Sequence, residues 1–268
     1  MADHDDIRMS LGDHLDELRR RVLLALAGPV VGFLVCFFIF QGELLQLVLR
    51  PVYPHWELFG FTFHVEPVPD IKFTLPAPYT GFTTTMFISL VAGCIVTAPW
   101  TLYQLWSFIA AGLTQRERRW VRLVTPFSVV LFAAGASFFY FVVYPVVLSF
   151  LYAFGSDLKG PDGQPLITSN TLFDGYVSFV LLLVLVFGLM FELPLAVFFL
   201  GKAQLISTAT FRRYRRHVVL GIVAVSALVT PPDIFSQLAL AVPMAILYEI
   251  GILAVAISER RARRSAEP

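Results

Sequence analysis

The chain has 268 residues, 57% of them hydrophobic and only 15% charged, with a formal net charge of +1 and a mean hydropathy of +0.74. Soluble domains carry about a quarter charged residues and about 45–50% apolar ones. A soluble enzyme, a disordered tail protein and a disulfide scaffold are therefore excluded, and an all-α polytopic membrane protein is expected.

Read in chain order, the first apolar run covers residues 22–40, close to the roughly 20 residues a helix needs to cross a bilayer core. No small-residue cleavage site follows Phe40, so this run reads as a retained anchor rather than a removable signal. Residues 41–78 form a first outer loop whose prolines at 51, 54, 67, 69, 76 and 78 exclude a long regular helix. Within it, Glu43 to Arg50 carries Leu44, Leu45, Leu47 and Val48 and is expected to lie flat at the interface. Phe61, Phe63 and Val65, then Ile71 and Phe73, alternate as in a short hairpin.

Runs over residues 79–113, 121–154 and 176–200 supply three further spans. A second outer loop, residues 155–173, holds the turn-forming Lys159-Gly160-Pro161-Asp162-Gly163. Residues 218–257 are long enough for two short spans, and Thr230-Pro231-Pro232-Asp233 lies inside them. Successive prolines remove donors and push the preceding residue out of the helical region, so a tight turn is expected there. The count is six spans in one membrane domain over residues 1–268, with short fifth and sixth helices.

The basic residues test that count independently. Arg8, Arg19, Arg20 and Arg21 precede span one, and Arg116, Arg118, Arg119 and Arg122 separate spans two and three. Lys202, Arg212, Arg213, Arg215 and Arg216 separate four and five, while Arg260, Arg261, Arg263 and Arg264 follow six. Of the 20 basic residues only Arg50, Lys72 and Lys159 fall elsewhere. The positive-inside rule puts all four clusters in the cytoplasm, with both termini inside: residues 1–21 as an N-terminal segment and 258–268 as a tail.

Catalytic constellations are missing. The histidines, His4, His14, His55, His64 and His217, lie outside or at the edge of the apolar runs, with no His-Glu-x-x-His pair, no Gly-x-Ser-x-Gly elbow and no phosphate loop. No enzyme activity, metal, cofactor or nucleic-acid partner is implied. Cys36 and Cys94 are mid-span thiols and carry no redox information.

Carboxylates stand out instead. Glu192 lies in span four, followed by Pro194, and Glu249 lies in span six. A charge at membrane depth costs at least about 2.5–3.5 kcal/mol, so each is a candidate site facing a wet cavity or the bundle interior, or else a packing lock. Pro194 should also kink span four, leaving the carbonyl of Met190 without its helical donor. Glu17 and Glu117 sit among cytoplasmic arginines, where an acid commonly just relieves repulsion; Glu17 and Arg21 have helical i,i+4 spacing, worth only about 0.2–0.5 kcal/mol.

His14-Leu15-Asp16-Glu17-Leu18-Arg19-Arg20-Arg21 resembles the N-terminal motif of the TatC family, the multispanning core of the twin-arginine protein translocase. Leu102-Tyr103-Gln104-Leu105-Trp106-Ser107-Phe108-Ile109, followed by Glu117-Arg118-Arg119, is similar to that family's first cytoplasmic loop. Tyr140-Phe141 with Tyr144-Pro145, the stretch from Phe187 to Pro194, Pro231-Pro232-Asp233-Ile234-Phe235-Ser236-Gln237 and Tyr248-Glu249-Ile250-Gly251 follow in the family's order. The chain departs from the pattern at Ala111, where a proline is usual, and at Ala77-Pro78-Tyr79, where Glu-Pro-Phe and a lysine are usual.

The resemblance implies a six-helix concave bundle in the cytoplasmic membrane that binds twin-arginine signal peptides of folded cargo. It also implies single-span partners of the TatA and TatB type, self-association in a receptor complex, contact with membrane lipid and transport driven by the proton-motive force. It assigns signal-peptide binding to Glu17, Glu117 and Phe108, an intramembrane polar site to Glu192, and assembly or transport roles to Pro232, Asp233 and Gln237. The residues alone leave one alternative, a small-molecule transporter using Glu192 and Glu249 as proton-coupled sites.

Overall fold

The computed structural model describes residues 11–50, 55–58, 61–64, 72–111, 115–156 and 170–264. Helix α1 spans Leu11–Ile39 and carries Pro29 inside it; α2, Gln41–Leu49, follows after a single residue. The expected interfacial segment is thus a short helix, and Tyr140 donates to the carbonyl of Leu47 at 2.6 Å, tying α2 to the third span.

The second apolar run is not one rod. Helix α3, Thr80–Val96, and α4, Ala98–Ala111, meet at an angle of 56° around Thr97. Pro99, lacking an N–H, cannot continue the ladder to Ile95, and a 35-residue run is in any case longer than one bilayer crossing of about 20 residues requires. Helix α5, Gln115–Phe138, passes through a π turn at Phe139–Val143 into α6, Tyr144–Ser156. Helix α7, Phe173–Met190, breaks at Phe191 and Glu192 and resumes as α8, Leu193–Lys202. Helices α9, Thr208–Val229, and α10, Ile234–Arg264, flank the double-proline turn.

Two expectations are corrected here. The sixth helix is not short, because α10 is 31 residues long while the break falls early in the apolar run. Pro243 is accommodated inside α10 and does not end it. Secondly, the hairpin pairs differently: β1, His55–Leu58, is antiparallel to β2, Phe61–His64, whereas β3, Lys72–Thr74, is parallel to β4, Asn170–Leu172. Strands β3 and β4 each lead into a helix, α3 and α7, that pack together and run the same way, which makes the pair parallel. Val65, Ile71 and the turn at Lys159 to Gly163 lie outside the described residues.

Four helical stretches are long and apolar enough to cross a membrane, Arg19–Ile39, Val124–Leu151, Phe173–Lys202 and Ile234–Arg260, and the bent pair α3–α4 makes a fifth. Helix α9 falls short of that test among the described residues because its first half is rich in arginine. The protein is an all-α polytopic membrane protein.

The core is aromatic and glycine-notched. Phe139, Tyr144 and Phe187 are fully enclosed between the π turn, α6 and α7. A Cβ on Gly93 would stand 2.4 Å from the backbone nitrogen of Phe33, and one on Gly135 would stand 2.5 Å from the carbonyl oxygen of Phe187. Those two glycines set how closely α3 approaches α1 and α5 approaches α7.

Candidate functional site

The predicted residues fall into two groups, both of which draw on α4. The first is the end of the bundle where α1 begins and α4 ends. These helices pack antiparallel in a regular ladder: Arg21 donates to Gln104 at 3.0 Å, Thr101 to the carbonyl of Ala25 at 3.4 Å, and Gly28 abuts Thr97. Gly32 then meets Gly93. About four residues along α1 match three to four back along α4 and then, past the bend at Thr97, along α3. The next turn beyond Arg21 and Gln104 carries Glu17 on α1 and Phe108 on α4, at the same level. Glu117 is the third residue of α5, just after the link from α4. The side chains of Glu17 and Glu117 lie outside the described residues. Gln104, a member of the sequence motif, is a buried acceptor that helps to orient Arg21.

The second group centres on Glu192. It sits in the break between α7 and α8, its backbone carbonyl accepting the first helical bond of α8 from Ala196 at 2.9 Å. Pro194 occupies the first turn of α8, where a missing N–H is tolerated, so the expected kink falls two residues ahead of the proline. The carboxylate is not turned to lipid. Ser128 of α5 donates to its Oε2 at 2.6 Å, and the Ser128 hydroxyl in turn accepts the indole N–H of Trp106 at 2.9 Å. Oε1 is buried without a partner among the described residues. The chain Trp106–Ser128–Glu192 therefore joins α4, α5 and the α7–α8 break in one polar line through an apolar bundle. Ser128 and Trp106 were not singled out from sequence; a serine two residues after Pro126 within an apolar span was the available signal.

Glu249 does not join Glu192. It forms an ion pair with Arg215 of α9, and both side chains are partly exposed, 39% and 59%. Beside it, Tyr248 donates to the carbonyl of Phe211 at 3.1 Å. Two adjacent residues of α10 thus clasp the arginine-rich half of α9. Cysteine, histidine and acidic side chains form no metal-binding group among the described residues.

The double-proline turn is a helix cap. Asp233 accepts the N–H of Ser236 at 2.6 Å, as an N-terminal capping acid does. Its second oxygen is buried without a partner among the described residues. Gln237 donates to the carbonyl of Val223 at 3.3 Å, pinning the start of α10 to α9, and Pro232 immediately precedes the cap.

Residues 13–243 match the family model described as TatC, Sec-independent protein translocase protein. The chain is 36% identical to the Sec-independent protein translocase protein TatC of Frankia casuarinae over 98% of this chain and 70% of that protein. It is 34% identical to the Escherichia coli K12 protein of the same name, over 89% of this chain and 85% of that one. A crystal structure titled twin arginine translocase receptor TatC, in a detergent, superposes with a TM-score of 0.77 at 30% identity, covering 90% of this chain and 98% of that chain.

Proposed function

The chain belongs to the TatC family of Sec-independent protein translocase proteins, receptor subunits of the twin-arginine translocase, and we propose how its own residues carry that role. Glu17 and Glu117 receive the two guanidinium groups of a twin-arginine signal peptide, with Phe108 beside them. The observation that supports this is the α1–α4 ladder, whose next turn carries Glu17 and Phe108 at one level, close to the start of α5.

The chemistry follows from the peptide. Neighbouring side chains of an extended strand point to opposite sides, so two adjacent arginines suit two carboxylates on different helices. Arginine–carboxylate contacts are charge-assisted and frequently bidentate. The surrounding arginines repel cationic peptides in general, so two acids in their midst select for a peptide that can engage both at once.

On this reading the chain crosses the cytoplasmic membrane six times with both termini in the cytoplasm, α9 being the fifth crossing. TatA-type and TatB-type single-span subunits are its partners, it associates with itself in the receptor complex, and the proton-motive force drives transport. Glu192, in its polar line, belongs to the transport step rather than to peptide binding. Pro232, Asp233 and Gln237 hold the outer turn on which assembly depends.

The deciding experiment is equilibrium binding of a twin-arginine peptide and its Lys-Lys counterpart to purified protein in nanodiscs. Preference for the arginine peptide, lost in Glu17→Gln and in Glu117→Gln, supports the reading. Equal affinity for both peptides overturns it.

A further inference from the structure

Ser128 and Tyr144 lie 16 residues apart along α5, the π turn and α6, and Tyr176 and Glu192 lie 16 apart along α7 and its break. These two stretches pack antiparallel, with Gly135 against Phe187 and Phe132 against Gly188. The seam that joins Ser128 to Glu192 therefore brings Tyr144 to Tyr176 about 24 Å farther along. The two phenol rings are 6.3 Å apart and tilted by 46°. Tyr144 has no exposed surface and Tyr176 is 7% exposed. Both hydroxyl oxygens are buried, and neither makes a hydrogen bond among the described residues. Aromatic neighbours close the contact: Phe73 of β3 lies 5.2 Å from the ring of Tyr176, and Phe139 stacks on Tyr144 at 5.7 Å. Tyr140 stands 6.3 Å from Tyr144; it gives its hydrogen to the carbonyl of Leu47, and a phenol oxygen also accepts.

A buried hydroxyl without a partner is costly, and native cores rarely leave one so. Two of them at one contact, with no bond between them, call for a third group that both donates and accepts. Water does both, and a buried water typically serves two to four polar atoms. We propose that Tyr144 and Tyr176 hold a buried, ordered water between their hydroxyls, with the Tyr140 oxygen as a further acceptor. A lipid headgroup is too large for a contact sealed by Phe73 and Phe139. The same pair of helical stretches is then tied by two different means. Ser128 and Glu192 bond directly at one end, water joins the tyrosines at the other, and the apolar block of Phe138 and Phe187 lies between. The inference does not depend on how signal peptide is bound.

X-ray radiolysis of the full chain in nanodiscs, in heavy-oxygen water and read by mass spectrometry, detects such a water without any substitution. Hydroxyl radicals formed at a bound water attack the side chains that hold it, even where bulk solvent does not reach. Tyr144 and Tyr176 should take up the label several-fold faster than Phe187, a buried ring with no hydroxyl. Labelling of the tyrosines no faster than that of Phe187 overturns the proposal. Thermal melts of Tyr144→Phe, Tyr176→Phe and the double variant then test whether one water is shared. Each single variant keeps its ring and loses one bond, so it should melt about 2–4 °C below the wild type. The double variant should melt close to the lower single one, because both changes remove the same water. A rise on losing either hydroxyl marks an unpaired phenol in a dry contact and overturns the site. Fully additive falls overturn the sharing. A fall without radiolytic labelling means that the hydroxyls bond each other directly, and the water is refuted.

Discussion

Ser128 and Glu192 are 64 residues apart in sequence, yet the hydroxyl of one donates to the carboxylate of the other at 2.6 Å, and Ser128 has no exposed surface. A serine enclosed between an indole donor and a carboxylate acceptor can satisfy both at once, which an alanine cannot. Ser128→Ala should therefore lower stability by about 1–3 kcal/mol, because it leaves buried polar groups unmade on either side. Unfolding in detergent, followed by near-ultraviolet signals from Trp106, measures this; a change within error removes the polar line from the account. Glu192→Gln retains an acceptor for Ser128 and should fold normally, while Glu192→Ala should impair transport into membrane vesicles more than it impairs peptide binding.

For Glu17→Gln and Glu117→Gln the expected effect is on affinity. Loss of one member of a buried charged pair costs about 2–5 kcal/mol, and a site at a membrane surface should lie at or below that range. Isothermal titration with the twin-arginine peptide gives the number, and identical affinity for wild type and both variants refutes the assignment.

The Arg215–Glu249 pair is half in solvent, so its removal should change global stability by only about 0–1 kcal/mol. Its local effect should be larger. Glu249→Gln should raise amide exchange in the arginine-rich half of α9, which rests mainly on α10, and the exchanged pair Arg215→Glu/Glu249→Arg should restore protection. Mass-spectrometric hydrogen exchange in nanodiscs reads both outcomes.

Glycines supply a contrast within one molecule. Gly93→Ala puts a carbon 2.4 Å from the backbone of Phe33, and overpacking of that kind costs about 1–3 kcal/mol. Gly221→Ala, on the open side of α9 with nothing within 4 Å, should be neutral or stabilising by roughly 0.5–1 kcal/mol. Thermal melts should place Gly93→Ala below the wild type and Gly221→Ala at or above it.

The apolar part of α9, from Val218 to Val229, spans about 18 Å against a hydrocarbon core of about 30 Å. Such a mismatch is met by thinning the bilayer at fractions of a kcal/mol per Å. Depth profiles from spin labels along α9 should show a thinner bilayer there than along α1; equal thickness refutes the mismatch.

Much of this was legible in residues. Charge clusters bounded the spans because transfer cost acts on each arginine separately. Pro194 announced the break at Glu192, since a missing N–H is a local property. What stayed hidden depended on neighbours distant in sequence. Nothing in Thr125-Pro126-Phe127-Ser128 says that Trp106 and Glu192 will flank the hydroxyl. The alternation around Phe61 and Phe73 was real, but alternation fixes a strand and not its partner, and the partner of Lys72–Thr74 came from the second outer loop. The length of the sixth helix stayed hidden because apolar composition gives the sum of two spans without dividing it.

That strand pair also constrains how the protein is built. Lys72–Thr74 and Asn170–Leu172 precede α3 and α7, and between them lie the bent pair α3–α4 and the long third span. The two strands can meet only where an even number of crossings lies between them, which the bent pair and the third apolar stretch together supply. The pairing is therefore a check on topology: a chain inserted with one crossing too few between these strands has no means of forming it.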